Sequence, residues 1–249
     1  MNTKHLITRL AAAALAMLAL STTSATAGVI VKPTSVSLAL TLGTVEGGGE
    51  SAINGIDGSG FTVGDQALIA NGANDIGSLG TSLGSLPQSL NNDAYNNSSR
   101  IVSGGGYGSQ QIPAGSAAWT FTLPAAYSVN GIYLWSLSES GALFRGIRNA
   151  TVALSTNNGS TFGTAVNVTF GLATFPPGNV TPVFVGLTET AGVNAIKLTY
   201  IDNQSGTSIT EGALGGFGEI RFTAVPEPAT WALLAGGLTT VMVLRRRRA

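Results

Sequence analysis

Any chemistry in this chain has to be done with oxygen ligands, amides, guanidinium groups and aromatic rings. The 249 residues contain no cysteine and one histidine, His5, which lies in an N-terminal segment that reads as removable. Without His5, a Ser-His-Asp triad, a cysteine nucleophile and an ordinary zinc site are all excluded. A pair of carboxylates working as acid and base on a glycosidic bond stays open. Groups suited to holding a sugar are planar polar side chains beside aromatic rings. Tyr95, Arg100 and Tyr107 stand together in a long polar stretch, and Arg145 and Arg148 follow Trp135 in mid-chain. Trp119 and Trp135 sit in strand-like patterns, where tryptophan is more often core than ligand contact.

The other chemically informative stretch is the C-terminus. Val225, Pro226, Glu227 and Pro228 precede an uncharged run, residues 229–244, and four arginines, Arg245, Arg246, Arg247 and Arg248. As a helix the run spans about 24 Å at ~1.5 Å per residue, short of a hydrocarbon core about 30 Å thick. Gly236 and Gly237 weaken it further. It is therefore a marginal anchor, with the arginines holding their end in the cytoplasm. Pro226 and Pro228 cannot continue a helix upstream, which leaves an extended link where a protease has access. The run lacks the amphipathic spacing of a core helix.

The N-terminus agrees. Lys4 and Arg9 form a basic region, residues 10–20 are Ala, Leu and Met, and Ala25-Thr26-Ala27 supplies small residues at the positions a signal peptidase reads. Residues 1–27 are expected to be a signal peptide cleaved after Ala27. Export would use the Sec route and its signal peptidase.

Between the two ends lie about 200 residues, enough for one domain with a substantial core. The whole chain carries 12 basic and 12 acidic residues, but half of the basic ones are in the sorting segments. The domain keeps Lys32, Arg100, Arg145, Arg148, Lys197 and Arg221 against eleven acids, a formal charge near −5. That argues against nucleic acid as a partner.

The elements that must position the candidate residues read as strands. Residues 29–31 are Val-Ile-Val, and residues 36–42 alternate Val36, Leu38, Leu40 and Leu42 with Ser, Ala and Thr. Residues 119–123, 131–137, 150–155, 162–170, 183–187 and 196–201 repeat the pattern, and residues 218–223 close the domain. Asn157-Asn158-Gly159 is a hairpin-type turn signal. Residues 64–115 are dense in Gly, Ser and Asn and read as long loops. Many short strands separated by turns, with few helix caps, predict an all-β sandwich or barrel. The domain boundaries expected are 1–27, 28–224 and 225–249.

Two resemblances follow. Val225-Pro-Glu-Pro228, the short apolar run and the terminal arginines together resemble the PEP-CTERM sorting signal of Gram-negative bacteria. The resemblance implies an exosortase as partner, transient residence in the inner membrane, cleavage near the Pro-Glu-Pro, and delivery to the cell surface, extracellular matrix or biofilm. The second resemblance rests on four motifs in order: Ala52-Ile-Asn-Gly-Ile-Asp-Gly-Ser-Gly60; Trp119-Thr-Phe-Thr-Leu-Pro124 with Ser128-Val-Asn-Gly-Ile-Tyr-Leu-Trp135; Arg145-Gly-Ile-Arg148 through Gly159; and Gly218-Glu-Ile-Arg-Phe222. These are similar to discoidin-like (coagulation-factor type C) domains of the galactose-binding-like fold, an eight-stranded jelly-roll β-sandwich. Residues 64–115 are longer than that family usually carries.

The second resemblance implies a non-catalytic module, in many members for sugars, here for an exopolysaccharide. It also implies one structural Ca²⁺, with Asp57 and Thr62 on the loop side and Glu219 on the last strand. Hard oxygen ligands suit Ca²⁺. Asp57 equally reads as an Asx turn and Glu219 as a solvated edge charge. A polysaccharide-acting enzyme using paired carboxylates and a structural matrix protein without a specific ligand are the alternatives.

Overall fold

The computed structural model describes residues 28–41, 44–45, 52–58, 66–67, 69–73, 99–102, 113–136, 145–171, 182–204 and 214–225. The signal peptide, Pro226 onward, Thr62, Tyr95 and Tyr107 lie outside the described residues.

The domain is all-β and antiparallel. Among the described residues its strands are β1 (Val29–Val31), β2 (Ser35–Leu40), β3 (Thr44–Val45), β4 (Ser99–Val102), β5 (Ala117–Ser136), β6 (Ile147–Ser155), β7 (Val166–Thr169), β8 (Val183–Asn203) and β9 (Leu214–Val225), with a 3-10 turn at Ala52–Gly55. The continuous path is β3-β4-β9-β5-β8-β6-β7, with β1 added to β9 and β2 added to β5.

The expected strands at 119–123 and 131–137 are two halves of one strand, β5, and those at 183–187 and 196–201 are two halves of β8. The reason is local. Register between β5 and β8 slips between Thr122 and Tyr127, where β5 carries extra residues including Pro124. Pro124 has no N–H to give the ladder. Opposite, β8 passes through Gly192 at φ +74°, a backbone state that costs glycine little. Bulges of this kind bend a strand and sharpen its twist. Both long strands turn at the same level, so the sheet folds back on itself.

The result is two layers. The first half of β5 pairs with β2 and the end of β8; the second half pairs with β9 and the start of β8. Trp119 and Phe121 of the first layer meet Phe217 and Phe222 of the second. The Trp119–Phe217 and Phe121–Phe222 ring centroids are 5.3 and 5.4 Å apart, edge to face in both pairs, a favoured aromatic geometry. No strand pairing joins these residues, so the rings are the contact between layers. Val129, Ile132, Leu134, Ile196, Leu198 and Ile220 complete the core. The expected β-sandwich is what the structure shows, and both Trp119 and Trp135 are fully buried in it.

The stretch 64–115 is not loop throughout. Ser99–Val102 forms β4 between β3 and β9, where the β-branched Ile101 and Val102 favour extended backbone. The turn at 69–73 bonds to β1 through Gly72 N–H to Ile30 O and Ile30 N–H to Ala73 O. The Asn158-Gly159 turn has both residues at positive φ, 59° and 79°, as its sequence requires.

Arg148 and Asp202 form an ion pair across β6 and β8, with Nη2 to Oδ2 at 2.6 Å and Asn149 N–H also donating to Asp202. Partial burial alone would push the Asp202 carboxyl up, but the hydrogen bonds from Arg148 and Asn149 and the Arg148 charge hold it below the usual value. A carboxyl with a lowered folded value contributes stability above its unfolded range and loses it as pH falls through the folded value. The side chains are 38% and 28% exposed, so solvent screening limits the pair to about 0.5–1 kcal/mol. Asp202→Asn is therefore expected to lower the urea midpoint slightly at neutral pH and to leave the acid-side midpoint unchanged. Equal losses at neutral and strongly acidic pH would contradict an electrostatic origin.

Candidate functional site

The acid on the last strand is positioned by a bulge. Trp135 pairs with Glu219 and Ser136 with Phe217, so Gly218 is an extra residue on β9. Side chains alternate along a strand, and one extra residue resets the alternation. Phe217, Ile220 and Phe222 can then all serve the core, while Glu219 and Arg221 share the face met by Gly58 and Ile69.

Glu219 is fully buried there and Arg221 is 1% exposed. The Glu219 carboxylate accepts hydrogen bonds from Arg221 Nη1 and, at 2.8 Å, from Gly58 N–H. Gly58 has φ +79°, which suits glycine. Arg221 also donates from Nε to Ile69 O at 2.8 Å and from Nη1 to Ile220 O at 2.7 Å. Lys32 Nζ donates to Asp57 O at 2.9 Å, and Gln66 Nε2 to Gly58 O at 3.0 Å. Burial pushes the Glu219 carboxyl up to about 7, with the Arg221 charge and hydrogen bonds pulling the other way.

These contacts correct one expectation and bear on a second, the Ca²⁺ site, whose Thr62 lies outside the described residues. Glu219 is not a solvated edge charge; it is the fully buried partner of Arg221. Nor do the residues fit a Ca²⁺ site. The carboxylate oxygens already accept from a guanidinium and a backbone N–H, the Asp57 carbonyl accepts from Lys32, and both cations line the cavity beside Asp57. A divalent cation there would face two positive groups and find its oxygen ligands engaged. Asp57 itself is exposed. Sequence reasoning passed over Arg221. The available signal was the i, i+2 spacing of Glu219 and Arg221, which places both on one strand face.

The candidate sugar ligands are partly brought together. Arg100 on β4 pairs with Gly216 of β9, and Gly146, next to Arg145, bridges to the same Gly216. Arg100 and Arg145 are thus neighbours at one end of the sandwich by backbone position. Arg145 is 9% exposed, which makes it an internal group more than an open ligand contact. Arg148, paired with Asp202, is committed to the sheet.

The opposite end holds the first and last strands' outer ends, at Val29 and Val225. Val29 of β1 pairs with Ala224, and Val225 pairs with Ser128 as the last residue of β9. Val225 of the sorting sequence is therefore still in the sheet. Gly216 and Val225 are nine residues apart, about 30 Å along a strand. The end with Arg100 and Arg145 and the end with Val29 and Val225 are separated by that length.

An antiparallel β-sandwich whose last strand runs directly into a sorting tail is the class that this architecture defines. Residues 224–248 match the PEP-CTERM protein-sorting motif. No curated protein matches the chain. Among solved structures, it is similar to an F5/8 type C domain from Bacteroides fragilis, at 11% identity over 80% of this chain and 97% of that one, TM-score 0.42. The family 32 CBM from C. perfringens NanJ in complex with galactose is similar at 13% identity over 79% and 98%, TM-score 0.39. CBM32-3 from a family 31 glycoside hydrolase of Clostridium perfringens is similar at 12% identity over 75% and 90%, TM-score 0.43.

Proposed function

We propose that this chain is an exported, exosortase-processed protein of the cell surface or extracellular matrix whose sandwich binds carbohydrate without catalysis. The observation that carries the export reading is the sorting motif at residues 224–248, continuous with β9. The signal peptide expected at residues 1–27 supports it, because Gly28 and Val225 emerge from the same end of the domain. With Gly28 and Val225 directed at the membrane during export, the end carrying Arg100 and Arg145 faces outward.

The ligand class, an exopolysaccharide, is supported by the four discoidin-like motifs and by that outward end. The non-catalytic reading is supported by the loss of the only histidine with the signal peptide. It is supported too by the engagement of three described carboxylates: Glu189 accepts from Ser128 Oγ, Asp202 from Arg148, and Glu219 from Arg221.

Protein recovered from the cell surface is expected to begin at Gly28, to lack Arg245 to Arg248 by intact mass, and to bind at least one bacterial glycan on an array. Recovery with the arginines still present would sink the exosortase reading. Surface recovery with no glycan bound would leave the structural matrix protein, and release of reducing sugar would favour the enzyme.

A further inference from the structure

We propose that Arg221, assisted by Lys32, is a built-in cation that clasps Asp57, Gly58 and the turn at 69–73 to β9, so that the domain takes no divalent metal at this place. The chemistry of the donor set points to it. Oxygens converge from three separate parts of the chain: the carbonyls of Asp57, Ile69 and Ile220 and the carboxylate of Glu219. Such a set, made of hard oxygens on a glycine-bearing loop, would suit a divalent ion if it were empty. Here the positive charge is covalent. The guanidinium reaches two carbonyls and the carboxylate at once through its planar fork, which a lysine cannot do from one point charge. Lys32 takes the remaining carbonyl from the other side.

The arrangement is internally consistent. Gly58, between the Lys32-bound carbonyl and the β9 pair, gives its N–H to Glu219 and its own carbonyl to Gln66. A Cβ built on Gly58 would stand 3.6 Å from Arg221 Nη2, so the guanidinium packs directly over the loop backbone. Asn71 Oδ1 accepts from Lys32 N–H at 3.3 Å, which ties the lysine to the turn whose Ile69 carbonyl accepts from Arg221. The cavity among these residues is about 260 Å³ and is lined by Lys32, Asp57, Gln66, Asn71 and Arg221. One hydrogen bond, from Gly58 N–H to the ion-paired Glu219 carboxylate, thus links residues 161 positions apart in sequence, in a domain that has no disulfide because it has no cysteine.

The test is thermal unfolding of the full chain in detergent at about pH 8, above the Glu219 value so that the carboxyl is ionised. It is run with millimolar CaCl₂ and with EDTA. The expected result is the same Tm in both, and a Tm lower by about 5–10 °C for Glu219→Gln, again equal in both, because removing one partner strands a buried guanidinium. A wild-type Tm that rises by several degrees with CaCl₂ overturns the proposal, as does a Glu219→Gln chain with unchanged Tm. If Glu219→Gln does not fold, that outcome agrees with the clasp and the wild-type comparison of CaCl₂ with EDTA still decides. The result is independent of whether the domain binds a glycan.

Discussion

A chain in which Pro226, Glu227 and Pro228 are replaced by alanine is expected to stay unprocessed in the inner membrane of a host with an exosortase, and its surface yield should fall to background. The argument starts from the sheet. Val225 is the last paired residue of β9, opposite Ser128. Pro226 has no N–H and cannot extend the ladder. From the sequence, the prolines are expected to keep the link to the apolar run extended, open to a protease. Alanine restores an N–H at both proline positions and has the highest helix propensity, so the apolar helix would grow back towards the sheet and close that access. If helical, the run would be about 24 Å long by helical rise, a marginal anchor for a core of about 30 Å, and the arginines would set its orientation. Immunoblotting of membrane and surface fractions reads the outcome. Release at the normal rate from the alanine variant would show that the Pro-Glu-Pro is not the recognition element, and the export reading would fail with it. The converse arm fuses residues 225–249 to an unrelated secreted reporter, which should then reach the surface.

The second large effect concerns the seam between the layers. Trp119→Ala should lower stability by about 3–5 kcal/mol, which for a domain of this size is a fall of about 10 °C in Tm. Trp119 is 0% exposed and sits on the half of β5 that pairs with β2 and β8. Its ring meets Phe217 edge to face, and Phe217 belongs to β9 in the other layer. Truncation therefore leaves a void between the two layers at a point where side-chain packing, and no strand pairing, joins them. Val166→Ala is the control. Val166 is 49% exposed, and a surface substitution of this kind stays within about 0.5 kcal/mol. Equal melting temperatures for the two variants would mean that the aromatic seam does not hold the layers together.

Much of this was legible because it is local. Alternating Val, Leu and Thr marks strands wherever it occurs, and Asn158-Gly159 marks its turn, since both depend only on residues a few positions apart. β4 was missed because four strand-forming residues, Ser99 to Val102, are embedded in Gly- and Asn-rich sequence, and only pairing with β9 on one side and β3 on the other makes them a strand. The halves of β5 and β8 read as four strands because the strand pattern lapses between residues 123 and 131 and between 187 and 196, around Pro124 and Gly192. In the folded chain each is a bend within a strand that keeps its partners on both sides.

The sequence by itself determined the class of the domain, its lack of histidine and cysteine chemistry, and the order of its sorting signals, because composition, period and terminal motifs need no third dimension. The tertiary structure alone decided the fate of Glu219. Read in sequence, it is one carboxylate in a closing strand, equally suited to a metal or to water. A single extra residue, Gly218, turns it with Arg221 onto the face where Gly58 and the Ile69 carbonyl arrive from about 150 positions away. Which cation meets a buried carboxylate depends on which groups the fold brings to it, and no spacing along the chain contains that.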